Sequence, residues 1–337
     1  MIVCFPTYAR RGPTGWKATV AGMVTQPLPE WSRRRVWAVA VLKRLLELDE
    51  AQLESDVFRR RAEVFLFQRL AGRRVTIRVG DRTIDAGVSD RSGHFETHVE
   101  LADDFVGAWG GPLRVDYEAT LADDEAETPA AGAVHLVDET GLSVISDIDD
   151  TVKFTNVADR RELLRNTLVR EFVAVEGMPE VYRRWQDLGA AFHYVSSSPW
   201  QLSACLCQFL GAAGLPAGSM HLKLFRLKDS TPLGRLPSRK RSKRRKIEQI
   251  LADFPARRFV LVGDSGERDP EVYAEVARRR PAQVAGIVIR EVPAKAAPDK
   301  VRARLLRLAR RLPSSPFTVF RSPDELADLE PVRPSPG

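Results

Sequence analysis

Cysteine is scarce in this 337-residue chain, and Cys4, Cys205 and Cys207 are too few for a disulfide framework. Positions 205 and 207 stand at i and i+2, which a helix points apart. A reducing cytoplasm is the expected compartment. Long apolar runs are missing as well: residues 36–42, the longest run near the start, fall far short of the roughly 20 that a bilayer requires. No charged-then-apolar leader opens the chain, so neither export nor a membrane span is expected. No internal repeat is found, which excludes a repeat architecture.

What is present is ordinary for a globular protein, with 44% apolar and 29% charged residues, and the length suits about two domains. The formal charge of +7 favours anionic partners. It is densest at Arg235, Arg239, Lys240, Arg241, Lys243, Arg244, Arg245 and Lys246. No aromatic residue interrupts that run, so base stacking is not its purpose and nucleic acid is disfavoured as a partner.

Along the chain, glycine and proline punctuate residues 1–30 around one expected strand at 16–24. A helix is expected from Ser32 to about Leu48, with Trp37, Val41, Leu45 and Leu48 as a core stripe, and a second over residues 50–67. These make an N-terminal segment, 1–70. Short alternating runs at 75–79, 83–88, 94–101, 113–120 and 133–137 predict a small antiparallel β-rich domain, 71–138. In 94–101 the residues Phe95, Val99 and Leu101 share one face, and His94 and His98 lie on the polar other. From Leu142 the texture changes to apolar runs at 142–145, 191–195, 259–262 and 284–289 with helices between them. That is the pattern of an α/β domain with a doubly wound parallel sheet, 139–312. A Pro/Ser-rich tail, 313–337, with one short helix at 323–329, closes the chain.

The run Leu142-Ser143-Val144-Ile145-Ser146 leads straight into Asp147, Asp149 and Asp150. Carboxylates at the end of a buried strand are costly unless something positive pairs them, and a metal ion or a metal-bound phosphate ester is a usual partner. In extended chain Asp147 and Asp149 share a side, which lets one attack while the other moves protons. Ligands of open parallel sheets bind beyond the carboxyl ends of the strands. Beyond the next runs stand Ser196, Ser197 and Ser198, and then Gly263, Asp264, Ser265, Gly266 and Asp269. Carboxylates for a hard cation such as Mg²⁺, hydroxyls for phosphate oxygens and a lysine for shifting charge are what metal-assisted phosphoryl transfer needs.

At Asp147-Ile148-Asp149-Asp150-Thr151, Ser196, a lysine and Gly263-Asp264-Ser265-Gly266-Glu267-Arg268-Asp269 the chain resembles the haloacid dehalogenase superfamily. With Ser146, Val152, Tyr194-Val195-Ser196-Ser197-Ser198-Pro199-Trp200 and Pro270-Glu271 added, it looks like the actin-patch type of Mg²⁺-dependent phosphatidate phosphatase, strongly over residues 141–290. The resemblance implies a nucleophile at Asp147 that forms an aspartyl-phosphate, and an acid/base at Asp149 whose backbone carbonyl also serves the metal. It implies Mg²⁺ ligands at Asp147, Asp264 and Asp269, and phosphate binding by Ser196, with Ser197 beside it, and by a lysine. Lys243 follows Ser242, the expected helix cap, and has the spacing of that lysine; Lys246 and Lys240 are the alternatives.

Other readings of these residues are weaker. A calcium loop at Asp147 needs glycine where Val152 stands, and Gly263-Asp264-Ser265-Gly266 lacks the second glycine of a serine-hydrolase loop. The expectation is a lipid phosphatase, cytoplasmic and peripheral at an anionic membrane through the run from Arg235 to Lys246. The alternatives are a phosphatase of polynucleotide ends or soluble esters, and a non-catalytic binder of anionic lipid.

Overall fold

The computed structural model describes residues 1–103, 114–123, 128–223, 239–293, 297–312 and 315–329. The chain divides into two units, one of residues 1–138 with 201–204 and 218–220, the other of 139–200, 205–217 and 221–337.

Among the described residues the first unit has nine strands: β1 (Ile2–Phe5), β2 (Thr7–Gly12), β3 (Gly15–Pro27), β4 (Phe67–Arg69), β5 (Arg74–Val79), β6 (Arg82–Val88), β7 (His94–Leu101), β8 (Arg114–Leu121) and β9 (Ala130–Val137). The central path runs β1-β3-β2-β9-β8-β5-β6, with β4 and β7 also pairing with β3. β2 runs parallel to β9, so the sheet is mixed where an antiparallel one was expected. The strands at 2–27, assigned above to a separate segment, belong to the same sheet as those at 74–137. Strict alternation explains the core: Val75, Ile77, Phe95, Val99, Val115, Tyr117 and Leu136 all point inward.

Helices α1 (Arg33–Leu46), α2 (Glu50–Glu54) and α3 (Asp56–Glu63) lie between β3 and β4. Ser55 accepts from the Phe58 amide and so ends one helix and starts the next, splitting the single helix expected there. Of the stripe expected here, Trp37 is 70% and Val41 40% exposed, whereas Leu48, just past the helix end, is buried as expected, as is Leu46; the side chain of Leu45 lies outside the described residues.

The second unit holds β10 (Leu142–Ser146), β11 (Ala191–Pro199), β13 (Arg258–Asp264), β14 (Val284–Arg290) and β15 (Phe317–Phe320), with β12 (Ser219–Lys223) at the edge next to β11. The order is β12-β11-β10-β13-β14-β15, and each pair from β11 to β15 is parallel. Helices α4 (Arg160–Leu168), α5 (Met178–Asp187), α6 (Ser203–Ala212), α7 (Arg239–Asp253), α8 (Asp269–Arg279) and α9 (Pro298–Ala309) connect or follow the strands. β10 sits at the centre and is buried from Ser143 to Ser146. β15 lies in what was read as a tail; Phe317, Val319 and Phe320 are strand formers, and the strand adds to the β14 edge. A one-turn helix, Pro323–Leu326, follows it. No described helix is long and apolar enough to cross a membrane.

Candidate active site

Register brings the motifs together. Ser146 pairs with Tyr194 on one side and Val262 on the other, so the residues just beyond these three strand positions meet at one edge. Asp147 is pinned there by its amide, which donates to the Val262 carbonyl at 2.9 Å.

After Asp147 the chain turns. The amides of Val152 and Lys153 both donate to the Ile148 carbonyl at 3.0 Å, a helix-like turn that sets Asp149 and Lys153 on one face. Buried Ile148 and Val152 anchor the opposite side. Asp150 takes the left-handed conformation at φ 54°, which aspartate tolerates better than most residues. Its carboxylate accepts from the Thr155, Asn156 and Val157 amides at 2.8, 2.7 and 2.6 Å and closes the loop. Arg290 donates to the Asp150 carbonyl at 2.8 Å.

Two corners result. In the first, Asp149 Oδ1 is 2.8 Å from both the Lys153 ammonium and the Thr155 hydroxyl. Its Oδ2 accepts from Ser198 Oγ at 2.6 Å and Ser196 Oγ at 3.3 Å. Burial pushes this carboxyl up, but Lys153 and the hydroxyls outweigh it and hold the pKa at about 2. Lys153 is itself 1% exposed and lies over the Phe172 ring.

In the second corner, Asp147, Asp264 and Asp269 bring carboxylate oxygens within 4.8 Å of one another. One ammonium serves them: Lys243 Nζ lies 2.7 Å from Asp147 Oδ1 and 2.6 Å from Asp269 Oδ1. Asp264 Oδ1 accepts from the Gly266 and Glu267 amides at 2.6 and 3.0 Å. Asp147 Oδ2 and Asp264 Oδ2 are buried with no hydrogen-bond partner among the described residues. Burial pushes Asp147 well above the usual carboxylate range; Lys243 opposes this, and the charges of Asp269, Glu267 and Asp264 reinforce it. Burial does the same to Asp264, with Asp269 adding to it. Gly263 is required here, because a Cβ would run into the Asp269 carboxylate.

This donor set fits a hard divalent cation. Three clustered carboxylates share one contacting ammonium, so their ionised forms are short of positive charge, and two buried oxygens lack a partner among the described residues. The Asp149 carboxylate is committed to the other corner, so any role for Asp149 at a metal falls to its backbone carbonyl. Beside both corners lies a cavity of about 60 Å³ lined by Ser196, Ser197, His221, Lys223, Lys243 and Lys246.

Of the three lysines left open by the sequence, Lys243 reaches the carboxylates and Lys246 binds Gln249 at 3.1 Å. The side chain of Lys240 lies outside the described residues. α7 begins at Arg239, so Ser242 is inside the helix and not its cap. Lys153, Thr155 and the Ser198 contact to Asp149 were not anticipated. The signal for Lys153 was its i+4 spacing from Asp149, which becomes informative only if the loop is known to turn. In the basic run, 235–238 are outside the described residues; Arg244 pairs with Glu275, while Arg241 and Arg245 are exposed.

Residues 142–291 match the family model described as phosphatidate phosphatase APP1, catalytic domain. The chain is 32% identical over 257 residues to phosphatidate phosphatase APP1 of Saccharomyces cerevisiae, covering 70% of this chain and 41% of the yeast protein. An uncharacterised protein of Schizosaccharomyces pombe is 36% identical over 183 residues, 52% of this chain and 30% of its own length. The chain thus spans less than half of either relative. A solved sialyltransferase from Photobacterium damsela aligns with a TM-score of 0.25 and 9% identity over 74% of this chain and 49% of its own, too weak a likeness to bear on the fold. The matched segment contains both corners of the site, and over it the chain is similar to the APP1 phosphatidate phosphatase catalytic domain.

Proposed function

We propose that the chain is a Mg²⁺-dependent phosphomonoester hydrolase that acts on a lipid phosphate such as phosphatidate and releases diacylglycerol and phosphate. The observation that carries the reading is the pair of adjoining corners, a charge-deficient carboxylate cluster around Asp147 and an ionised carboxylate at Asp149 ringed by hydroxyls. The yeast relative's name supports the lipid substrate. The strand order and the motifs at the strand ends support a doubly wound domain of the haloacid dehalogenase type.

In this reading Asp147 attacks phosphorus, the bond from phosphorus to the alkoxide oxygen breaks, and an aspartyl-phosphate forms. Asp149 protonates the departing alkoxide. The incoming phosphate is a like charge that raises the proton affinity of Asp149, so a carboxylate ionised in the free protein acquires the proton it hands over. Asp149 then takes a proton from water, the hydroxide attacks phosphorus, and the bond to Asp147 breaks to free phosphate. Ser196 and Ser197 bind the phosphoryl oxygens, and Lys243 offsets their charge and holds the Asp147 carboxylate in place. Mg²⁺, held by Asp147, Asp264 and Asp269, would offset the negative charge of the ionised cluster and stabilise the charge on the transferring phosphoryl group.

The enzyme would work in the cytoplasm, peripheral to an anionic membrane. The test is a panel of phosphatidate, soluble aryl and sugar phosphates and 5′-phosphorylated oligonucleotides, with and without chelator. Phosphatidate hydrolysed fastest, only with Mg²⁺, and with acid-stable phosphate trapped on the protein of an Asp149→Asn variant is the expected result. Faster turnover of the oligonucleotide or a soluble ester would replace the lipid reading, and no turnover at all would leave a non-catalytic binder.

A further inference from the structure

α1 is the part of the first unit that burial does not explain. Trp31 just before it is 84% exposed, and along it Val36 is 61%, Trp37 70% and Val41 40% exposed. Ala40, Arg33, Arg34, Lys43 and Arg44 are exposed with them. At 3.6 residues per turn, positions 33, 36, 37, 40, 41 and 44 fall on one side of the helix, so apolar and basic residues are interleaved on a single face. Residues 31–46 contain no acid at all. Arg35 is the exception in direction: it turns to Glu63 and the Leu28 carbonyl and holds the helix to its unit. Arg33, Arg34, Lys43 and Arg44 form no ion pair among the described residues, whereas arginines elsewhere in this unit do, Arg74 with Asp85 and Arg78 with Glu118 among them.

The geometry points to this face of α1, with Trp31, as a docking surface for an anionic lipid bilayer. Two exposed tryptophans, Trp31 before Arg33 and Arg34 and Trp37 after them, suit the headgroup level, where an indole buries its ring and keeps its N–H wet. The valines add apolar area for the acyl boundary, and four cations without an ion pair among the described residues meet anionic headgroups, the exposed acids Glu30 and Glu47 lying only at the two ends of the segment. Nucleic acid would use the cations and the indoles but leave Val36 and Val41 without a role. This inference rests on the lipid reading of the active site only for its purpose, which is to bring a soluble catalytic domain to a substrate that stays in the membrane.

The experiment floats the full chain with vesicles of phosphatidylcholine alone and with phosphatidylserine added, at low and raised salt. Wild type is expected to float with the anionic vesicles and to lose part of that binding to salt. Replacing Trp31, Val36, Trp37 and Val41 by serine should weaken flotation by at least about tenfold, because the interfacial apolar area is gone. Turnover of a soluble aryl phosphate and the melting temperature should stay unchanged, since these side chains are solvent-exposed. A second variant, Arg33→Glu with Lys43→Glu, should lose flotation while keeping both tryptophans. Wild type that ignores anionic vesicles, a serine variant that floats like wild type, or tighter binding to single-stranded oligonucleotide than to vesicles would each overturn the inference. Flotation through α1 by a protein that does not hydrolyse phosphatidate would keep this inference and sink the lipid substrate. Hydrolysis of phosphatidate in detergent micelles without flotation would do the reverse.

Discussion

Asp147 and Asp149 stand two residues apart, each within 2.8 Å of a buried lysine, yet their surroundings drive them in opposite directions. Around Asp147 two further carboxylates share the one ammonium of Lys243, and burial and repulsion favour the protonated form. Around Asp149 a private lysine and hydroxyl donors favour the anion and hold the pKa at about 2. The number of positive charges per carboxylate, more than burial, separates the two. In the proposed reaction the corner short of positive charge takes up the cation and the other handles protons.

Neutralising each carboxylate in turn separates the two environments. Asp147→Asn should reduce turnover of an aryl phosphate by about 10⁴-fold, since an amide is a poor nucleophile. In chelator it should also raise the melting temperature, because one of three crowded charges is gone. That gain should be largest at high pH and should fade as pH drops and wild-type Asp147 binds its proton. Asp149→Asn should lower turnover by about 10²- to 10⁴-fold. It should lower stability at neutral pH by about 3 kcal/mol, because Lys153 is left buried without its counter-charge. The wild-type Asp149 contribution is complete above its unfolded pKa and disappears as pH falls through about 2, so neutral pH is the place to measure it. Two melting temperatures that move the same way would refute the assignment of opposite environments.

Cation uptake tests the deficient corner directly. Mg²⁺ at about 100 times its dissociation constant should stabilise the protein by about 2.7 kcal/mol. Asp147 and Asp264 have raised pKa values, so protons compete with the metal as pH falls, and the Mg²⁺-induced rise in melting temperature should grow from pH 5 to pH 8. A pH-independent rise, or one that survives Asp264→Asn, would place the metal elsewhere.

The smallest expected effect is a control within α7. Lys243→Ala should impair turnover and destabilise the fold by about 3 kcal/mol, since it strands buried carboxylates. Arg241→Ala, two residues earlier and exposed, should stay within about 0.5 kcal/mol and leave turnover of a soluble ester unchanged. Equal damage from both would mean that general positive charge, and not the placed ammonium, supports the site.

Much of this was legible in advance. The strands at 74–79, 82–88, 94–101 and 114–121 could be read because alternation with β-branched residues is a local property, and the parallel strands at 142–146, 258–264 and 284–290 because buried runs are continuous. The carboxylates and serines could be read because they follow those runs. β12 and β15 escaped because short strands at sheet edges carry little pattern. α1 misled for a related reason: periodicity reports which residues share a face and not whether anything covers it.

By itself the sequence determined the α/β character of the second unit, the carboxylates Asp147, Asp149, Asp264 and Asp269, and the serines beyond the second strand, because each depends on residues close together along the chain. Only the tertiary structure decided which lysine serves which carboxylate. Lys153 is 4 positions from Asp149, and Lys243 is 96 from Asp147 and 26 from Asp269, and the choice depends on a loop that turns and a helix that packs against β11. Charge at a buried site is set by neighbours in space, and the strength of each pair falls with distance in ångströms, not in residues.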